Sequence, residues 1–214
     1  MISISRKDIL NFEKRYRGTF VNSLSGIKSA NLIATKSARG NTNLAVFSSV
    51  IHLGANPPLL GFVMRPVTVE RHTYQNIKET LSFTVNHIPQ RLVKQAHATS
   101  ARYQESLSEF DACGFTEVKS GFHAPFVGES SLRIACKLSE DIKIQSNDTQ
   151  LIVGHIEKVE LDETALLQDG FIDLATLQSA GISSLDGYHK IGRAKRFHYA
   201  KPFVDAMELN STNG

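Results

Sequence analysis

Asn41-Thr42-Asn43-Leu44-Ala45-Val46-Phe47-Ser48-Ser49-Val50-Ile51-His52 is the stretch on which the reading of this chain turns. Leu44 to Ile51 has the composition of a strand, and it carries small hydroxyl side chains near its end. Asn56-Pro57-Pro58 then interrupts any ladder, because proline has no N–H to donate. A second apolar run, Leu59-Leu60-Gly61-Phe62-Val63-Met64, reads as a fully buried strand that stops at Arg65-Pro66. Arg71-His72-Thr73, Asn76 and the strand-like Phe83-Thr84-Val85-Asn86 complete the segment. Hydroxyl and amide side chains thus fall at strand ends, with arginines at the next turns. That pattern suits a phosphate and a polar heterocycle better than a plain core.

Upstream, Asn31 to Thr35 reads as a strand and Ser37-Ala38-Arg39-Gly40-Asn41 as its turn. Ile9, Leu10, Phe12 and Tyr16 lie near helical spacing, so residues 5 to 17 predict a short amphipathic helix or an irregular lead-in. Phe20 to Ser25 is expected as a loop or short strand. Downstream, residues 73 to 80 predict a short helix with Thr73 as N-cap, leading to a strand at Ser82 to Asn86. From Pro89 to Phe110 the pattern is helical, with Leu92, Val93, Ala96, Tyr103, Leu107 and Phe110 near one face and Gly114 as the stop. Further strands are expected within residues 115 to 139, most clearly at Leu132 to Leu138, and at Gln150 to Val159. A polar, partly helical tail to about residue 185 and a frayed end at Ser211 to Gly214 finish the chain.

Strands with one helical excursion, and no regular strand–helix alternation, argue against a doubly wound sheet. The expected class is α+β, a closed antiparallel barrel with helical additions, forming a single domain over residues 1–214.

At 214 residues, 41% hydrophobic and 21% charged, the chain has the composition of a soluble globular protein with a sizeable core. A net charge of +3 without a run of like charges argues against nucleic-acid binding. Cys113 and Cys136 form no Cys-x-x-Cys pair and read as reduced, buried packing residues. The amino terminus has no signal-peptide pattern, and no stretch approaches the ~20 apolar residues of a membrane span. A cytoplasmic protein without a membrane segment is expected.

Nucleotide-loop motifs and the Gly-x-Ser-x-Gly elbow are missing, and the eight histidines show no metal-ligand spacing. Neither a metal site nor an essential catalytic side chain is expected. Ser48 and Ser49 can serve either the backbone or a phosphate, and Arg65 and Arg71 either solvent or a bidentate anion contact. Thr73 and Asn76 can cap a helix whose N-terminus favours an anion. Asn43 and His52 can each hydrogen-bond the edge of a planar ring.

The order of these elements resembles the flavin reductase-like proteins with an FMN-binding split barrel, the family that includes flavoredoxins and the reductase components of two-component monooxygenases. The matching positions are Gly40, Asn43, Ala45, Phe47-Ser48-Ser49, Pro57-Pro58, Leu59 to Val63, Arg65, Thr73, Asn76-Ile77 and Phe83-Thr84-Val85-Asn86. Ser108 to Thr116, Leu151 to Ile156, Asp186 to Arg193 and Tyr199 extend the likeness, so roughly residues 25–200 are covered. Arg71-His72 departs from the usual basic-Asp pair before the Thr, and residues 35–40 lack the usual Asp-Gly.

The resemblance implies a split β-barrel of mainly antiparallel strands with helical insertions. It also implies FMN in a groove where two subunits of a homodimer meet. Carried over, Ser48, Ser49, Arg65, Arg71 and Thr73 hold the phosphate, Asn76 belongs to the same site, and Asn43 and Phe47 lie near the ring. His52, Tyr188 and His189 are weaker candidates for lining the pocket. The implied activity is an NADH- or NADPH-dependent flavin reductase, with an electron-accepting oxygenase as a possible partner. The alternatives are an FMN-bound electron carrier reduced by a protein partner, or a module that binds flavin, haem or another planar ligand without turnover.

Overall fold

The computed structural model describes residues 1–66 and 71–209, so the tail Ser211 to Gly214, expected to fray, lies outside the described residues. Helices α1 (Arg6–Asn11) and α2 (Lys14–Ser23) open the chain, followed by strands β1 (Lys28–Ser29), β2 (Asn31–Lys36), β3 (Thr42–Phe47), β4 (Ile51–Ala55) and β5 (Pro58–Met64). Helix α3 (His72–Thr80) leads into β6 (Ser82–His87), α4 (Val93–Ala98) and α5 (Glu109–Cys113). The short β7 (Glu117–Val118) and β8 (Phe126–Val127) precede the long β9 (Leu132–Ile144) and β10 (Thr149–Leu161). Strands β11 (Ala180–Ser183) and β12 (Gly187–Lys190) come last.

Among the described residues, seven strands form one sheet in the order β3-β2-β6-β9-β10-β5-β4, every pair antiparallel. Its edge strands β3 and β4 are consecutive in the chain, joined by Ser48, Ser49 and Val50. The four Cα–Cα steps from Phe47 to Ile51 reach no more than about 14 Å. The two edges are therefore held together at one end, while no ladder joins them among the described residues. The sheet is a barrel split along one seam.

Around β2 and β6 both faces of this sheet are covered. Leu32, Ala34 and Leu44 pack outside against Ala96 of α4 and Phe110 of α5, whereas Ile33, Phe62, Phe83, Val85 and Ile152 fill the interior. Strand β2 is buried on both sides, which is why its sequence runs apolar instead of alternating. On β6, Phe83 and Val85 point inward, while the buried Thr84 and Asn86 face out and bond a neighbouring segment. Thr84 Oγ1 donates to Pro125 O (2.6 Å), and Asn86 Oδ1 accepts from Val127 N–H (3.0 Å). A Cβ at Gly154 would lie 2.5 Å from Phe83 Cζ, so glycine is required where β10 crosses the Phe83 ring.

The expected strands and the Gly114 stop are present, the latter with φ of 73°. Several details differ. The lead-in is two helices, and α2 runs through Phe20 to Ser23, where a loop or strand was expected. The 44–51 strand breaks at Ser48, because the chain there leaves one sheet edge for the other. Strand β5 is only partly buried, since β4 at the edge leaves Leu59, Leu60 and Val63 half-covered. The helix expected over 89–110 is interrupted after α4, where Thr99 Oγ1 turns back to donate to Ala96 O (2.7 Å). The tail expected to be polar and partly helical contains β11, which pairs with β1 on one side and with β12 on the other. No helix among the described residues is long and apolar enough to cross a membrane.

His87 ends β6 opposite Asn31 of β2, and its Nδ1 is buried with no hydrogen-bond partner among the described residues. Burial pushes its pKa down to about 4. The unfolded chain binds this proton near pH 6.5 and the folded chain only near 4, so stability falls as pH drops through that window, by about 3 kcal/mol in all. Urea unfolding at pH 7 and pH 4 should show His87→Gln losing about 3 kcal/mol less than the parent chain over that range. Equal losses would mean that His87 is not held neutral.

Candidate functional site

Where β2 turns into β3, the two strands hold the head of α3 through two buried hydrogen bonds. Asn43 Nδ2 donates to Thr73 Oγ1 (2.9 Å), and Asn76 Nδ2 donates to Thr35 Oγ1 (3.0 Å). These bonds fix the first turns of α3 against β2 and β3. The expectation that Thr73 caps α3 is corrected: Arg71 occupies the cap position without a side-chain cap bond. Thr73 sits inside the first turn, its hydroxyl accepting from Asn43 and its proton without an acceptor among the described residues.

The crossover is latched separately. Ser49 Oγ donates to Val63 O and accepts from Val63 N–H, both at 3.1 Å, so this side chain substitutes for a strand partner on β5. Ser48 makes neither contact and borders the open space beside it.

That space is a cleft of about 1260 Å³. One wall is apolar, from Ala45, Val46, Phe47, Val63 and Met64; the α3 head adds Arg71, His72 and Thr73, and Arg65 stands at the rim. Leu44 N–H donates to Glu109 Oε2 (2.9 Å), turning away from β2. By antiparallel alternation the N–H and C=O of Val46 face the same open edge. The sheet edge thus offers backbone donors and acceptors to whatever occupies the cleft.

The opposite wall comes from Thr99 to Glu105, with His97, Lys28, Ile182 and the α2 end contributing. Sequence reasoning missed this wall, because Tyr103 was read as part of a continuous helical face. The small residues Ser100-Ala101 were the available signal for a break. Tyr188 lies behind His97, its hydroxyl 3.3 Å from His97 Nδ1, and burial pushes its pKa up to about 12. His189 bonds Ser183 Oγ at 2.7 Å.

Of the expected residues, Asn43, Phe47, Ser48, Ser49, Arg65, Arg71 and Thr73 all line this one cleft. His52 does not: it is exposed on the edge strand β4, three residues beyond the cleft-lining Ser49. Asn76 does not reach the cleft either, its side chain being spent on Thr35, and it borders a small polar recess beside Glu109. Burial raises the pKa of Glu109. Both cysteines are buried, and burial pushes the Cys136 thiol up to about 12.

Arg71 is the decisive residue. Its Nε is buried and has no hydrogen-bond partner among the described residues, although it lines the cleft at the N-terminus of a helix. An unpaired buried donor on a cation costs stability unless an acceptor completes it. The donor set here fits an anion such as a phosphate.

Comparison with known proteins identifies the family and the fold. The profile of the flavin reductase like domain matches residues 25–174. The chain belongs to this family. A crystal structure from Shewanella frigidimarina NCIMB 400, assigned as a flavin reductase with a split barrel domain, is 48% identical with a TM-score of 0.89, covering 94% of this chain and 100% of that one. Nitrilotriacetate monooxygenase component B from Bacillus cereus shares the fold at 22% identity and TM-score 0.79, covering 91% of this chain and 97% of its own. Flavoredoxin of Desulfovibrio vulgaris (Miyazaki F) does so at 24% identity and TM-score 0.68, over 83% and 92% of the two chains.

The two serines of the family pattern have different tasks here. Ser49→Ala removes both bonds to Val63 and should cost about 1–2 kcal/mol, lowering Tm by several degrees. Ser48→Ala should leave Tm within about a degree. Thermal unfolding of both variants checks this, and equal losses would remove the latch assignment.

Proposed function

We propose that the chain binds FMN in the cleft and acts as an oxidoreductase that draws on NADH or NADPH. The observation that carries this reading is the buried, unpaired Arg71 Nε at the head of α3. In the proposed complex Arg71 takes the phosphate together with the α3 N-terminal N–H groups, the Thr73 hydroxyl and Ser48, while Arg65 adds charge at the rim. The apolar wall from Ala45 to Phe47 receives the ring and excludes water from one side of it. The Val46 backbone and Asn43 stand near the ring's polar edge, where donors stabilise negative charge that builds up on reduction. The chemistry supplied by bound FMN is hydride acceptance and onward electron transfer.

The membership in a flavin reductase-like family supports this assignment, and the likeness to a monooxygenase component supports an oxygenase as electron acceptor. The long open seam supports a homodimer in which a second copy helps to enclose the ring.

The test is the visible spectrum of the purified protein, repeated anaerobically with NADH and with NADPH. Flavin bands that bleach with one nucleotide are expected; bands that persist with both would favour an electron carrier fed by another protein. A colourless protein that takes up no added FMN would end the flavin reading. Arg71→Ala should weaken FMN about tenfold or more and riboflavin little, because only FMN carries the phosphate. Equal losses in titration would show that Arg71 does not read it.

A further inference from the structure

Helices α1 and α2 are short, and neither contains a buried residue. Helices of this length do not persist in water on their own propensity and need tertiary cover. Their internal support is an aromatic trio, with Phe12 at 4.8 Å from Tyr16 and 5.4 Å from Phe20 between ring centres. Contact with the barrel is thin: Ser184 Oγ reaches Thr19 O at 3.5 Å. Leu10, Tyr16, Val21 and Leu24 remain exposed, at 56%, 58%, 47% and 64%. The two helices precede residue 25, where the match to the family domain begins.

This N-terminal segment is also charged. Residues 1–28 hold six basic and two acidic side chains, although the whole chain has an excess of only three basic ones. The same chain carries a surface of opposite sign. Residues 157–173, the end of β10 and the turn after it, hold six acidic side chains and one basic. Arg133 and Arg196 neutralise two of these acids from elsewhere, which leaves the strip negative. It exposes apolar side chains as well: Val159 at 42%, Leu166 at 49% and Leu167 at 42%.

We infer that the α1–α2 face docks on the 157–173 strip of a second copy of this chain, and reciprocally. Each face offers apolar side chains ringed by charge, and the charges are complementary in sign. A twofold axis that brings one face of each copy onto the other face of its partner closes without leaving a free end. The contact rests on the two-copy reading of the cleft and gives that reading an address. Asn22 and Ser25 line the cleft, so the docked face ends at the cleft rim.

The test uses two charge-reversed full-length chains, Lys14→Glu with Arg15→Glu, and Glu157→Lys with Glu163→Lys. Light scattering on the parent chain at low salt should give the mass of two chains, with dissociation at high salt. Each reversed variant alone should have the mass of one chain, with the circular dichroism of the parent. Mixed in equal amounts they should restore the mass of two, since each face then meets its opposite. A parent dimer that both variants retain would overturn this contact while leaving a dimer standing; a monomeric parent would overturn both. Binding of the α1–α2 face to anionic phosphatidylglycerol vesicles, with no restoration on mixing, would assign the face to a lipid surface instead.

Discussion

Three residues, Ser48 to Val50, connect the two outermost strands of a seven-stranded sheet, and the architecture follows from that shortness. A sheet whose edges are tied at one end must curl, and a curled sheet encloses an interior that Phe62, Phe83 and Ile152 fill. The same tie holds the edges together without pairing them, leaving a seam. Ser49 stabilises the tie by taking the place of a strand partner for Val63. The crossover therefore shapes the barrel and opens the cleft with the same few atoms.

The cleft inherits its character from what the seam leaves uncovered. An unpaired edge is ordinarily an aggregation hazard, and here one stretch of β3 is covered by Glu109 while the next faces the cleft. Buried amide–hydroxyl pairs bring the α3 head to the same place, so helix-terminal N–H groups and a guanidinium converge beside an apolar strand. Holding Arg71 there with an incomplete set of acceptors is costly in the free protein. In the proposed cofactor site an anion completes that set.

The helices ahead of the barrel follow a different logic. They contribute no buried residue to either apolar cluster, and they leave apolar and basic side chains exposed. In the proposed assembly, the barrel supplies the site and the two helices supply the contact with the neighbour.

Much of this was written in local chemistry. The strand composition of Asn31 to Thr35, the proline break at 57–58, the Gly114 stop and the ordering of Asn43, Ser48, Arg71 and Thr73 all declare themselves within a few residues, because turn geometry and side-chain donors act over short separations. That is why the barrel class and most of one cleft wall were legible before any fold was known. Which serine latches and which lines the cleft was decided by Val63, fourteen residues from Ser49. His52 came to lie exposed on an edge strand, Asn76 was claimed by Thr35 across forty-one residues, and α4 ends where Thr99 donates back to Ala96 O. These outcomes depend on which groups become neighbours when a seven-stranded sheet closes, and sequence spacing carries no record of that distance.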